Sequence, residues 1–262
     1  MTPTFLGVDF SGGANAGRKI WLACASSAGD RLRIEACFRA EVLPGSGRTL
    51  ARCLPALRGF LAAQTGSVIG LDFPFTLPAV LLEGCETWET FVTGFVDRFA
   101  DAEAFRRWSM AAAGGRELRR RCELASRTPF CAWNLRLYRQ TFAGIAGVLA
   151  PLVAKDAVSV VPLQAPIHGR PILAEICPAS TLKRRGLYRP YKGREPERRA
   201  ARAAILDALQ SELAVAPAIA AILLDDAEGD ALDSALAALA ASRIDLASPP
   251  VPASDLEGFV YC

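Results

Sequence analysis

Apolar and polar positions fall into blocks of two different periods along the chain. Residues 5–10 are apolar at Phe5, Leu6, Val8 and Phe10, a run dense enough for a strand buried on both faces. A turn at Gly12-Gly13 and Asn15-Ala16-Gly17 leads to a second strand at Lys19–Ala25, and Ala28-Gly29-Asp30 leads to a third at Leu32–Phe38. Such short turns between consecutive strands imply an antiparallel meander. The period then changes. Leu50, Leu54, Leu57 and Leu61 recur at helical spacing across residues 48–63, interrupted by Pro55, and Val68–Phe73 returns to a strand pattern. A strand-helix-strand unit favours a parallel crossover that sets the fourth strand beside an earlier one.

Residues 78–150 carry no strand pattern. Trp88, Phe91, Phe95, Phe99 and Phe105 recur at helical intervals, with further helical segments around 116–125 and 135–150, so the stretch reads as a helical insertion after the fourth strand. Val158–Leu163 is β-branched, and Pro171–Cys177 forms a fifth strand. Ser180 or Thr181 caps a short segment ending at Gly186. Pro196 opens an Ala/Leu/Arg helix running to about residue 214, and the last helix is Asp230–Ser242. The sum is one α/β domain over residues 1–262, with a mixed sheet and the insertion 78–150 within it.

Composition narrows the chemistry. The chain is 52% hydrophobic and 22% charged, enough for a packed core. No apolar run is long enough to span a membrane and no signal peptide is apparent, so the expected location is the cytoplasm, with no membrane partner. The eight cysteines include no CxxC pair and read as reduced thiols. The only histidine is His168, too little imidazole for a zinc hydrolase or a histidine-based triad. Carboxylates are left to carry any reaction. Charge is also segregated. Residues 101–150 are net +5, residues 181–202 net +7 and residues 203–262 net −9, a pattern compatible with a basic face for a polyanion beside an acidic pocket for cations.

Two strands carry the same odd feature. Leu6-Gly7-Val8-Asp9 and Ile69-Gly70-Leu71-Asp72 each place a lone aspartate in an apolar strand, which is unfavourable by several kcal/mol unless the charge is paired or on a metal. Neighbouring strands lie about 4.8 Å apart, so equivalent Gly-x-Asp positions bring both carboxylates within reach of one cation. Asp230 and Asp233 stand three apart and share a helix face. Mg²⁺ or Mn²⁺ suits such oxygen donors. Ser11 and Gly12 sit in a turn whose backbone amides suit a phosphate. The loop Tyr188–Arg194 is aromatic and basic together, with Lys192 and Arg194 as phosphate contacts and Tyr191 as a base-stacking ring.

Gly7-Val8-Asp9, Gly70-Leu71-Asp72-Phe73-Pro74, Glu175-Ile176-Cys177-Pro178, Asp230-Ala231-Leu232-Asp233 and Glu257-Gly258-Phe259 occur in that order. Together they resemble an uncharacterised family described as predicted nucleases with a ribonuclease H-like fold, and the arrangement is similar to Holliday-junction resolvases of that superfamily. The resemblance implies a five-stranded sheet of order 3-2-1-4-5 and Mg²⁺-dependent hydrolysis of nucleic acid. It places Asp9, Asp72, Asp230 and Asp233 in the catalytic and metal-binding roles, with Glu175 as a fifth ligand or a structural acceptor. Asp72 departs from the pattern, since resolvases typically use a longer glutamate there. Two other readings stay open. Asp9-Phe10-Ser11-Gly12-Gly13 also resembles the first phosphate loop of sugar-kinase and actin-like phosphotransferases, and the fold can serve a non-catalytic binding protein.

Overall fold

In the computed structural model, which describes residues 4–250 and 256–262, the first apolar run forms β1 (Thr4–Asp9) near the middle of the sheet. A one-turn helix, α1 (Ala16–Lys19), precedes β2 (Trp21–Ala28) and β3 (Arg31–Arg39). Gly29 adopts φ 64° in the turn between these two strands, a conformation that favours glycine. α2 (Leu50–Ala62) crosses back with Cys53, Leu54, Leu57 and Leu61 buried, and β4 (Val68–Asp72) then pairs with β1 in parallel. From there to β5 the described residues form helices and connecting turns: α3 (Trp88–Thr93), α4 (Phe95–Arg98), α5 (Ala102–Ala112), α6 (Arg121–Ala125), α7 (Tyr138–Gly144), a π-helical turn at Ile145–Leu149, and α8 (Ala150–Val153). The chain re-enters the sheet as β5 (Ser159–Val161) and β6 (Ile172–Glu175). It finishes with α9 (Pro178–Arg184), α10 (Pro196–Ala208), β7 (Leu213–Val215), α11 (Pro217–Asp225) and α12 (Asp230–Ala241).

The sheet has seven strands in the order β5-β6-β4-β1-β2-β3-β7, not five. The five strands expected from the sequence keep their order as β3-β2-β1-β4-β6, and the two additions lie at the edges. Each addition is three residues long, too short for a period-2 pattern to register. Leu213–Val215, expected to end a helix, pairs in parallel with Leu32–Ile34 of β3 instead. The helix stops at Ala208. Only β2 runs antiparallel to its neighbours, so the sheet is mixed. The segment ending at Gly186 also starts differently from the expectation, at Pro178 behind Cys177, with no side-chain cap.

Helices cover both faces. Leu6, Val8, Ile69 and Leu71 pack with α2 and the aromatic residues of α3–α5 in the larger core. Ala23, Ala25 and Ile34 pack with α12 and α10 on the other side. Among the described residues, no helix is long and apolar enough to cross a membrane.

Candidate metal centre and adjoining cleft

The carboxylates meet where α12 touches the sheet. Eleven of its twelve residues are buried, most of them alanine or leucine, so it lies against β1 and β4 at backbone distance. A Cβ on Gly7 would stand 1.9 Å from the Ser234 carbonyl oxygen, and one on Gly70 would stand 2.8 Å from that of Ala237. Both positions therefore require glycine. Gly7 aligns with Gly70 and Asp9 with Asp72 across the parallel pair. Residues two apart on a strand share a face. Asp9 and Asp72 thus project from the surface that α12 covers, at the carboxyl ends of their strands. The repeated Gly-x-Asp has one cause: the glycine admits the helix and the aspartate meets its N-terminus.

That N-terminus is built to receive negative charge. Gly229 takes φ 76° ahead of the helix, and Asp226 Oδ2 accepts from the Ala231 N–H at 3.0 Å. Asp230 and Asp233 fall in the first turn, where the helix dipole favours anions. Carboxylate oxygens of Asp9, Asp230 and Asp233 lie within 4.8 Å of one another. Asp9 is 6% exposed and Asp233 3%. Asp72 stands beside this triad, partly exposed.

Three acids this close repel one another. Burial, and after it the charge of Asp230, pushes Asp9 well above the usual carboxylate range. Burial and then Asp233 raise Asp72 to about 8. Burial raises Asp230 to about 6 against the pull of Lys192. Lys192 Nζ donates to Asp230 Oδ1 at 3.1 Å and lies 2.6 Å from Asp233 Oδ2. Burial works against its charge, yet Asp233 and Asp9 outweigh that and hold the ammonium above its ordinary range. One amine serves three carboxylates, so the centre is short of positive charge. A divalent cation would supply it.

A cleft of about 510 Å³ opens over Asp72, Asp233 and Lys192. Its floor is the carboxyl ends of β4 and β6. One wall comes from residues 128–140, including Phe130 and Arg136, and the other from residues 188–198, including Tyr188 and Arg189.

A family model described as "Protein of unknown function (DUF429)" matches residues 7–256. The chain belongs to this family. The matched segment contains the whole triad and Asp72. No curated protein and no solved structure matches the chain.

Not every expected site residue of this DUF429 chain reaches the centre. Glu175 aligns with Leu71, not Asp72, and so points to the opposite face of the sheet. There it accepts from the Phe75 N–H at 3.0 Å and pairs through both oxygens with Arg120, which is 0% exposed and also pairs with Glu123. Burial raises the Glu175 carboxyl against the opposing pull of Arg120. It sits in a buried ion-pair network, apart from the cluster of Asp9, Asp230 and Asp233. Tyr191, expected to stack a base, is 4% exposed, and its hydroxyl donates to Asp233 Oδ1 at 2.5 Å. Its ring is covered and its role is to fix Asp233. Gly12 is required by packing, since a Cβ there would stand 2.1 Å from the Arg139 carbonyl oxygen, and Ser11 Oγ accepts from the Gly13 N–H at 3.3 Å. Lys192 and Arg194 lie in different clefts: Lys192 pairs with Asp230 and Asp233, and Arg194 lines a second cleft with Arg18, Lys19 and Arg39 that reaches Asp230 from the other side and also holds Asp225, Asp226 and Glu228.

Other contributors went unread in the sequence. Arg202, 2% exposed, donates to the carbonyls of Tyr191 at 2.6 Å and Gly193 at 3.2 Å, and so holds the loop that delivers Lys192. Gln140 donates to the Asp72 carbonyl at 2.5 Å. Neither has a local signal, because an arginine in a basic helix and a glutamine in a polar one look solvated.

Proposed function

We propose that this DUF429 chain is a divalent-metal-dependent nuclease with a ribonuclease H-like fold, hydrolysing phosphodiester bonds of nucleic acid. The observation that carries the reading is the convergence of Asp9, Asp230 and Asp233 within 4.8 Å, with Asp233 and Asp72 opening on a cleft that Arg136, Arg189 and Arg198 also line. The strand order β3-β2-β1-β4-β6, with only β2 antiparallel to its neighbours, supports the fold assignment. The donor set fits Mg²⁺ or Mn²⁺, being hard carboxylate oxygens without imidazole. Cys177 lines the cleft, but burial pushes its thiol up to about 12, so it offers no thiolate.

Asp9, Asp230 and Asp233 would hold the cation. Once bound, it would supply charge for the phosphate oxygens and acidify a water. Asp72, partly exposed at the cleft, would stand beside the three as a further carboxylate for the cation's shell. Tyr191 keeps Asp233 in position. Lys192, whose side chain is half-exposed, would meet the substrate phosphate. Incubation of the purified protein with a panel of DNA and RNA strands should give cleavage that needs Mg²⁺ or Mn²⁺ and that disappears in Asp9→Asn. Substrates left intact with either metal would overturn the proposal.

A further inference from the structure

The cleft beside the carboxylates has features that the metal centre alone does not need. Tyr188 lines it while remaining 52% exposed, with Lys183 Nζ 5.3 Å from the ring centroid. Arg136 and Phe130 line it too, with the guanidinium 5.5 Å from the ring centroid. Among the described residues, neither Arg136 nor Arg189 is ion-paired with a carboxylate, although Asp72, Glu123, Glu175 and Asp233 line the same cleft. Arginines without an acidic partner, lining one cleft with aromatic rings, match a ligand with both an anionic backbone and flat faces. Nucleic acid is such a ligand. In a double helix, the faces of the bases are covered by their stacked neighbours. Only an unpaired base can give its face to a protein ring. The volume, about 510 Å³, also lies in the range of clefts that enclose small ligands, and suits a nucleotide or two of a strand.

We propose that this cleft binds an unpaired nucleotide next to the scissile phosphate, with its base on Tyr188 and its flanking phosphates on Arg136 and Arg189. The preferred substrate is therefore single-stranded. The proposal rests on the nuclease reading for the word "scissile" but not for the binding itself.

Fluorescence anisotropy can measure both. A short labelled single strand and its duplex are titrated with wild-type protein, Tyr188→Ala and Tyr188→Trp in EDTA, where the probe stays intact. The single strand should bind at least about tenfold more tightly than the duplex. Tyr188→Ala should lose roughly tenfold in affinity, as removal of a stacking ring does, and Tyr188→Trp should restore it. Arg189→Ala should lower the slope of log affinity against log salt by about 0.7, the value for one phosphate contact on a single strand. Equal affinity for duplex, or an unaffected Tyr188→Ala, would overturn the subsite and leave the nuclease reading standing. Single strands bound through Tyr188 but never cut with Mg²⁺ or Mn²⁺ would support the subsite and remove the nuclease reading. A protein that binds no oligonucleotide would remove both.

Discussion

Lys192 is the only cation within ion-pair reach of Asp230 and Asp233 among the described residues, and it is not enough. Asp72 shows the shortfall, being held at about 8 against 3.8 for the free side chain. A carboxyl raised in this way keeps its proton in the folded state and loses it on unfolding. The stability it contributes is complete below about pH 3.8 and lost as the pH climbs to about 8. Metal-free protein should therefore melt at a falling temperature between about pH 6, where Asp230 is titrating, and about pH 8. Thermal melts should show that fall reduced by Mg²⁺, and also in Asp72→Asn. An undiminished fall in Asp72→Asn would mean that another group is responsible. The acids of this centre were legible in the sequence because a lone aspartate in an apolar strand is costly and the same cost appears twice. Glu175, open in the sequence as a ligand or a structural acceptor, accepts from the Phe75 amide and pairs with Arg120. Whether its side chain meets Asp72 depends on a one-residue choice of register, which no local pattern encodes.

At the level of elements, the centre depends on how closely α12 can approach β1. Gly7→Ala would drive a methyl group into the backbone at Ser234 and Ala238, which cannot yield as a flexible side chain would. Chemical denaturation should show a loss of about 1–3 kcal/mol, typical of overpacking. Mn²⁺ affinity should fall with it, because Asp230 and Asp233 move with the helix. Retained affinity in a destabilised Gly7→Ala protein would show that α12 need not sit so close. Elements with long periods were readable: the meander, α2 and α12 all appear near their expected places. β7 was not, and β5 showed only as the β-branched stretch Val158–Leu163, since three residues at a sheet edge take their conformation from the neighbouring strand and carry little signal of their own.

For the whole molecule, the opposite face of the sheet carries a second set of charges. Arg120 joins Glu123, Glu175 and the Glu257 carbonyl, while the Glu257 carboxylate accepts from the Ala79 and Arg121 amides. The network ties α6, β6, the segment after β4 and the C-terminal residues into one unit. Glu175→Gln leaves Arg120 with one carboxylate and should destabilise the protein by up to about 3–5 kcal/mol, the range for breaking a buried pair. Calorimetric Mn²⁺ affinity should stay unchanged. A large loss of affinity at full stability would instead return Glu175 to the metal. Little of this network shows in the sequence, where Arg120 is the middle of three arginines that read equally as a polyanion clamp or as solvated charge.

The triad also joins positions 9, 230 and 233, which α12 brings together from far apart in the chain. More than two hundred residues separate the first of these acids from the other two. A nascent chain or a fragment ending before α12 lacks two of the three carboxylates, whatever else it has folded. Under the proposed metal reading, any truncation that removes α12 removes the site, even where the sheet survives.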